Sequence, residues 1–245
     1  MKLKNVFQRR EVKYTMTYTT YENLRKAMDG HMQEDIYGLH TIYSLYYDTN
    51  DFSMIRHSIE KPDYKEKFRV RSYGSACDTS NVFLEIKKKV SGIVYKRRIE
   101  VPYISLADKH TFKENQSQIG HEIAYIFDQH DLEPKVMIAY ERRALYSEID
   151  EEFRVTFDFN IRYSQEDFSF HDNATMARVT PDIDVLMEVK ALGSYPVWFS
   201  KALSQLGIYK TNYSKYANVY SRYILPSLIA DKQKKEKYLG ENIYV

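Results

Sequence analysis

Arginine and lysine recur at alternate positions along this chain: Arg9 and Lys13; Lys67, Arg69 and Arg71; Lys87 and Lys89; Lys96 and Arg98; then Arg142, Arg154 and Lys190. Fewer acids share these positions, namely Glu11, Glu85, Glu100, Asp158 and Glu188. A two-residue spacing puts each set on one face of a strand. For any single strand the plain reading is a solvated face whose basic side chains guard against edge pairing. Over six or more strands that reading weakens, because like charges stacked on neighbouring strands repel unless an anion lies between them. Arginine offers bidentate forks to phosphate oxygens, and lysine offers a compact point charge. Such a face suits the gripping of a highly charged phosphate chain.

The intervening positions are apolar, which is what strands with one buried face require. Val82, Leu84 and Ile86 oppose Phe83, Glu85, Lys87 and Lys89; Phe68 and Val70 oppose Lys67, Arg69 and Arg71. Val185, Met187 and Val189 oppose Leu186, Glu188 and Lys190. Phe153, Val155, Phe157 and Phe159 oppose Arg154, Thr156, Asp158 and Asn160. Strands are expected at about 5–14, 42–49, 64–73, 82–91, 93–101, 135–147, 153–163 and 184–193, with a tight hairpin at Ser91-Gly92. Amphipathic helices are expected at 18–29, capped by Thr19 or Thr20, and at 115–131. A third, 196–208, starts near Pro196 and stops at Gly207, and a fourth, 215–230, ends or kinks at Pro226. The reading is a single α+β domain over residues 1–230 with a charged tail, 231–245. Its sheet is expected to close into an eight-stranded antiparallel barrel, basic face inward and helices packed outside.

Composition sets limits. The 245 residues carry 36 Lys plus Arg against 34 Asp plus Glu, so no global charge calls for nucleic acid or an anionic membrane. Cys77 is the single cysteine, which excludes an intramolecular disulfide or a multi-cysteine metal site. Seven scattered histidines form no His-x-x-x-His pair, and neither a P-loop nor a Gly-x-Gly-x-x-Gly motif is present. The 23 tyrosines suit half-buried strand positions, and Tyr209, Tyr213, Tyr216, Tyr220 and Tyr223 suggest an aromatic stripe covering the barrel. No apolar signal segment follows Met1, and no apolar run is long enough to span a bilayer, so a cytoplasmic protein is expected. The Lys-rich tail leaves room for a peripheral position at the membrane.

Several motifs occur in a recognisable order. They are Arg9-Arg10-Glu11-Val12-Lys13-Tyr14, Phe68-Arg69-Val70-Arg71, Leu84-Glu85-Ile86-Lys87 and Tyr140-Glu141-Arg142. Phe153-Arg154-Val155-Thr156-Phe157-Asp158, Leu186-Met187-Glu188-Val189-Lys190 and Ser214-Lys215-Tyr216 complete the set. Together, over residues 5 to 223, they resemble the VTC domain, the polyphosphate polymerase branch of the CYTH-like triphosphate tunnel metalloenzymes. The resemblance implies a basic tunnel in which the γ-phosphoryl of ATP passes to a growing polyphosphate chain. An inorganic triphosphatase and a non-catalytic polyphosphate-binding module are the alternatives. Carried over position by position, Arg69, Arg71, Lys87, Arg142, Arg154 and Lys190 become the catalytic wall. Lys13, Arg9 and Lys215 become phosphate contacts, with Lys96 or Arg98, because Lys96-Arg97-Arg98 leaves the register open by one.

The same resemblance implies Mn²⁺ or Mg²⁺ on Glu188. Glu11 serves either as a second metal ligand or as the partner of a neighbouring arginine. ATP, inorganic phosphate and polyphosphate are the implied ligands, nucleic acid is not, and a membrane-protein partner would receive the chain. One departure is informative. The hydrolase and cyclase branches begin Glu-x-Glu-x-Lys, whereas here Arg9 stands first, which favours a site that grips more phosphate with fewer metal carboxylates.

Overall fold

A computed structural model describes residues 10–91, 93–107, 117–150, 152–171 and 175–241. Eight long strands follow the expected alternation: β1 (Arg10–Met16), β3 (His40–Asp48), β4 (Tyr64–Tyr73), β5 (Asn81–Val90), β6 (Ile93–Pro102), β7 (Glu133–Tyr146), β8 (Arg154–Ser164) and β10 (Val185–Ala191). Three two-residue strands join them: β2 (Gln33–Glu34), β9 (Ala177–Arg178) and β11 (Lys210–Thr211). All pairings are antiparallel, in the order β11-β1-β10-β8-β7-β3-β4-β5-β6, with β2 beside β7 and β9 beside β8.

The sheet therefore has eleven strands, not eight, and it is not closed. Among the described residues no pairing joins β6 to β1 or β11. The ends explain why. β11 offers two residues only, and β6 presents Lys96-Arg97-Arg98, charges that discourage a further strand. The sheet nonetheless curls, since β1 and β6, near its opposite ends, line the same cleft.

The convex face carries the apolar alternation and is covered by helices. α1 (Tyr18–Met28) and α4 (Val197–Gln205) bury Tyr21, Leu24, Met28 and Phe199 against Phe153, Val155, Phe157, Met187 and Val189. α3 (Gln118–Gln129) buries Ile123 and Ile126 against Phe68, Val70, Val82, Leu84 and Ile86. Thr17, rather than Thr19 or Thr20, caps α1 by accepting from the Thr20 N–H, and Ser117 caps α3.

Helices also occupy the concave face, which corrects the expectation that all pack outside. α2 (Ser53–Ile59), α5 (Lys215–Val219) and the π-helical turn Tyr220–Ile224 cover Ile42, Val136, Ile138 and Leu186. These apolar residues share strand parity with Ser44, Arg142 and Glu188, so part of the inward face is hydrophobic and must be shielded from water. Tyr213, Tyr216 and Tyr220 of the aromatic stripe lie in this core, while Tyr209 is exposed. Asp48, fully buried, ties the layer together. It accepts from the N–H groups of Met54 (2.9 Å) and Ile55 (3.0 Å) at the start of α2 and from the Tyr216 hydroxyl (2.9 Å) on α5.

Two further details differ from the expected pattern. Between β7 and β8 the register steps from Ala139↔Arg162 to Glu141↔Phe159, leaving an extra residue in β8, and Asn160 adopts φ 48°. This bulge turns Asn160 away from the cleft to donate to Glu141 and re-aims Ile161 into the concave core. The last helix, α6 (Leu225–Glu241), runs through Pro226 and includes most of the expected tail. Its Leu225 N–H bonds Tyr220 C=O five residues back, so the missing donor of Pro226 falls where the α-helical ladder is already interrupted.

Candidate functional site: a two-part basic cleft

The concave face encloses a cleft of about 900 Å³. Among the described residues, thirteen lysines and arginines and three glutamates line it, so a chain of near-zero net charge concentrates ten positive charges in one depression. Low-dielectric walls strengthen that field.

One half is built on arginine. Glu85 of β5 lies opposite Arg69 of β4 and is 1% exposed. Its carboxylate receives Arg69 Nε at 2.8 Å and Nη2 at 2.7 Å on one oxygen, and Lys96 Nζ at 2.8 Å on the other. Arg71 lies 3.9 Å away and donates to Ser44 Oγ and Tyr140 Oη, both at 3.3 Å. Burial would raise the Glu85 pKa, but Arg69, Arg71 and Lys96 outweigh it and hold the group at about 2. Arg69 also donates to the Tyr46 hydroxyl at 2.9 Å. That phenol would be raised by burial, yet Arg69, Arg71, Lys67 and Lys215 bring it down to about 8.

A second cluster spans β7, β8, β10, β1 and α5. Arg142 grips the fully buried Asp158 through Nε (2.6 Å) and Nη2 (2.7 Å), and Lys215 Nζ bonds the same carboxylate. Glu188 meets Lys13 at 3.2 Å, Arg142 at 3.5 Å and Lys215 at 3.8 Å. Burial opposes ionisation of both acids, but Arg142 and Lys215 for Asp158, and Lys215, Lys13 and Arg142 for Glu188, hold them below the usual carboxylate range. Lys215, which burial would lower, is instead raised by Asp158 and Glu188. Ser214 caps α5 through the Ala217 N–H, so Lys215 enters from a fixed first turn, with its ammonium 4.2 Å from the Tyr140 ring centre.

The other half is built on lysine. Lys67 stands directly opposite Lys87, and Lys65 opposite Lys89, on adjacent antiparallel strands. Lys61, which follows α2 in a left-handed conformation (φ 58°), adds a fifth cation. None of these five forms an ion pair among the described residues; Lys65 donates to the Ser58 carbonyl at 3.0 Å. Burial first, then Lys65, Lys87 and Lys13, lower Lys67 to about 8, with Tyr46 acting the other way.

The structure thus brings together ten of the residues singled out from sequence: Glu11, Lys13, Arg69, Arg71, Lys87, Lys96, Arg142, Glu188, Lys190 and Lys215. Lys190 and Lys13 each lie 3.9 Å from Glu11. Arg154 and Arg98 are not in the cleft lining. Arg154 is exposed at the first residue of β8, and Arg98 lies over the Phe83 ring at 4.7 Å. The open register resolves to Lys96, because Arg97 faces the other way and pairs with Glu122 of α3 at 2.8 Å. Arg9 lies outside the described residues. Tyr46, Tyr140, Lys61, Lys65 and Lys210 also line the cleft and were not assigned to it from sequence. Tyr46 lies in the run Tyr43–Tyr47, where aromatic and apolar residues on both faces hide the alternation. Glu85 and Asp158 were visible at the right parity, but their service as anchors needs the fold.

An antiparallel sheet curled around so cationic a cleft is a fold for holding polyanions. The VTC domain family matches residues 8–224, and the chain belongs to that family, which ties it to polyphosphate-related chemistry. No curated protein sequence matches the chain. Two solved structures resemble it in shape. One is a candidate adenylate cyclase from Vibrio parahaemolyticus (10% identity, TM-score 0.47, covering 87% of this chain and 97% of that one). The other, from Hippeastrum, is a candidate adenylyl cyclase described as having a dominant triphosphatase activity (13% identity, TM-score 0.48, covering 86% and 94%). Among the described residues no helix is long and apolar enough to cross a membrane.

Proposed function

We propose that the protein is a polyphosphate polymerase that transfers the γ-phosphoryl of ATP to inorganic phosphate or a polyphosphate end within the basic cleft. The carrying observation is the set of cations held in place by buried carboxylates, Arg69 and Lys96 by Glu85 and Arg142 and Lys215 by Asp158. Phosphoryl transfer rests on positioning and charge stabilisation more than on covalent help. Arg69, Arg71 and Arg142 hold non-bridging oxygens, and Lys13, Lys87, Lys96, Lys190 and Lys215 add point charges. The phosphate acceptor is already anionic at neutral pH, so no strong general base is needed.

The carboxylates present fit a divalent ion that arrives with the triphosphate, not a protein-built cage. Glu188 and Glu11 stand at diagonal positions on adjacent strands with their carboxylates partly accessible, and no three His, Cys, Asp or Glu converge among the described residues. One or two carboxylates plus phosphate oxygens is an ordinary setting for such ions. Mn²⁺ or Mg²⁺ bound there would offset charge on the phosphate oxygens.

Incubation with ATP and Mn²⁺, followed by gel analysis for long phosphate chains, tests the reading. Polymer supports it. Free phosphate from tripolyphosphate without polymer would move the assignment to a triphosphatase, and tight binding without turnover to a binding module. Glu188→Ala should abolish metal-dependent turnover while retaining part of the triphosphate affinity; polymer synthesis by that variant would remove Glu188 from the metal.

A further inference from the structure

Beyond Arg71 and Glu85 the inward face of the sheet changes character. Phe83 of β5 stands directly opposite Arg71, and the next inward residue of β4 is Tyr73, about 7 Å farther along the strand. The rings of Tyr73 and Phe83 meet edge to face with centroids 5.5 Å apart. Arg98 of β6 lies over Phe83 and donates to the Tyr73 hydroxyl at 3.4 Å. On the β3 side His40 contacts Tyr73 and Tyr37, with ring centroids 6.4 and 6.1 Å away. Burial would raise the Tyr73 pKa, but Arg71 brings it below its ordinary value, so this ring stands within the field of the cleft. An aromatic run thus leads from the arginine half to the surface, where Tyr73 is 46% and Tyr37 71% exposed. The loop that carries Tyr37 is tied down. The Asp35 N–H donates to the Ala144 carbonyl at 3.0 Å, the Asp35 carboxylate accepts from the Tyr37 N–H at 3.1 Å, and His40 Nδ1 donates to the Gly38 carbonyl at 3.1 Å.

We infer that Tyr37, His40, Tyr73 and Arg98 form a nucleoside subsite, on which the base of ATP stacks while its triphosphate enters the arginine half. The inference rests on the reading of the cleft as a phosphoryl-transfer site with ATP as donor. Charge argues for a base here rather than more phosphate. Arg98 is followed on the same face of β6 by Glu100, so this surface is close to neutral, whereas the cleft beside it holds ten positive charges. Flat rings left open to water beside a clamp for phosphates suit an uncharged aromatic group joined to a triphosphate. Tyrosine rings and arginine guanidinium planes stack on any base, because every base has a π-face. Inorganic tripolyphosphate has no group to place there, so the subsite separates a nucleotide from a bare phosphate chain of similar charge.

Two ligands that differ by the nucleoside make the test. The full-length protein is titrated by calorimetry with ATP and with tripolyphosphate, as wild type, as Tyr37→Ala, as Tyr37→Ala/Tyr73→Ala and as Tyr73→Phe. The double variant should bind ATP about tenfold more weakly than the wild type, with its tripolyphosphate affinity unchanged. Tyr37→Ala should lose part of that factor, and Tyr73→Phe, which keeps the ring and drops the hydroxyl, should retain the ATP affinity. Thermal unfolding checks the folding of each variant, and Tyr37→Ala, in an exposed loop, keeps the test open if the double variant unfolds. ATP binding that is unchanged in Tyr37→Ala and in the double variant, or a loss shared equally by tripolyphosphate, overturns the subsite and leaves the reading of the cleft standing. A wild type that binds tripolyphosphate but not ATP overturns the subsite and ATP as donor. A wild type that binds neither overturns the reading of the cleft, and the subsite with it.

Discussion

The two halves of the cleft carry the same sign of charge in opposite settings. Around Glu85, Asp158 and Glu188 each of the main cations has an acid within hydrogen-bond or ion-pair reach, so the arginine half is partly neutralised from within and its cations are held in place before any ligand arrives. Along Lys65, Lys67, Lys87 and Lys89 no acid comes within ion-pair distance among the described residues, and only Lys87 feels Glu11 and Glu188 from farther off. The difference separates two ways of binding an anion. The first spends stability on geometry. The second keeps charge in reserve.

The contrast can be broken most directly through stability. Arg142→Ala removes the bidentate partner of the fully buried Asp158 carboxylate and leaves it with Lys215 alone, and breaking a buried ion pair in this way should cost about 3 kcal/mol. Lys67→Ala removes a member of a like-charge rung and should cost nothing or add a few tenths of a kcal/mol, about the size of a cross-strand pair term. Equal losses in denaturant titrations would erase the distinction between the halves.

A somewhat smaller effect is expected in affinity. Arg69→Ala removes one charge-assisted fork and should weaken tripolyphosphate binding by about ten- to a hundredfold in calorimetry. Proton linkage sharpens the comparison further. Lys67 and Tyr46 both titrate near 8 in the free protein. A bound polyanion favours the protonated form of each, so both pKa values rise on binding. Protons are then taken up near pH 8, up to about half a proton per group, and affinity falls as pH climbs through that value. Calorimetry in buffers of different ionisation enthalpy should show the uptake, and Lys67→Met and Tyr46→Phe should each remove a share. Proton release on binding would contradict the assignment. The smallest effect belongs to Arg154→Ala, outside the cleft lining, where stability and triphosphate affinity should change by no more than about 0.5 kcal/mol. A large loss of affinity in a titration would return Arg154 to the wall.

Much of this organisation could be read before the fold was known, and the reasons are local. The alternation of Phe68-Arg69-Val70-Arg71 and Leu84-Glu85-Ile86-Lys87 states which side chains share a face, and those faces are the ones observed. Parity is a property of two neighbouring peptide units, so it survives without knowledge of partners. Closure is different, because it depends on two distant edges finding each other. The charges of β6 discourage a further strand, but that β11 is only two residues long and leaves the edges unpaired is visible only in the fold. The β8 bulge was missed for a related reason: Asn160 tolerates φ 48°, but asparagine alone does not declare a left-handed residue. α2 was missed because its start depends on Asp48 and on Phe52 at φ 59°, a tertiary arrangement with no periodic signature. Arg154 has the inward parity, but it is the first residue of β8 and stands outside the cleft lining, a position that parity alone does not give.

α5 lies late in the chain and deep in the molecule. A ribosome working from the first residue delivers Arg69, Arg142, Asp158 and Glu188 well before Lys215. Until then Asp158 has one basic partner instead of two, and Ile42, Val136, Ile138 and Leu186 have no α5 to cover them. The nascent sheet is thus incomplete on its inner side until α5 and the turn Tyr220–Ile224 emerge, an interval in which a chaperone, or an anion drawn to the exposed arginines, could meet the protein first.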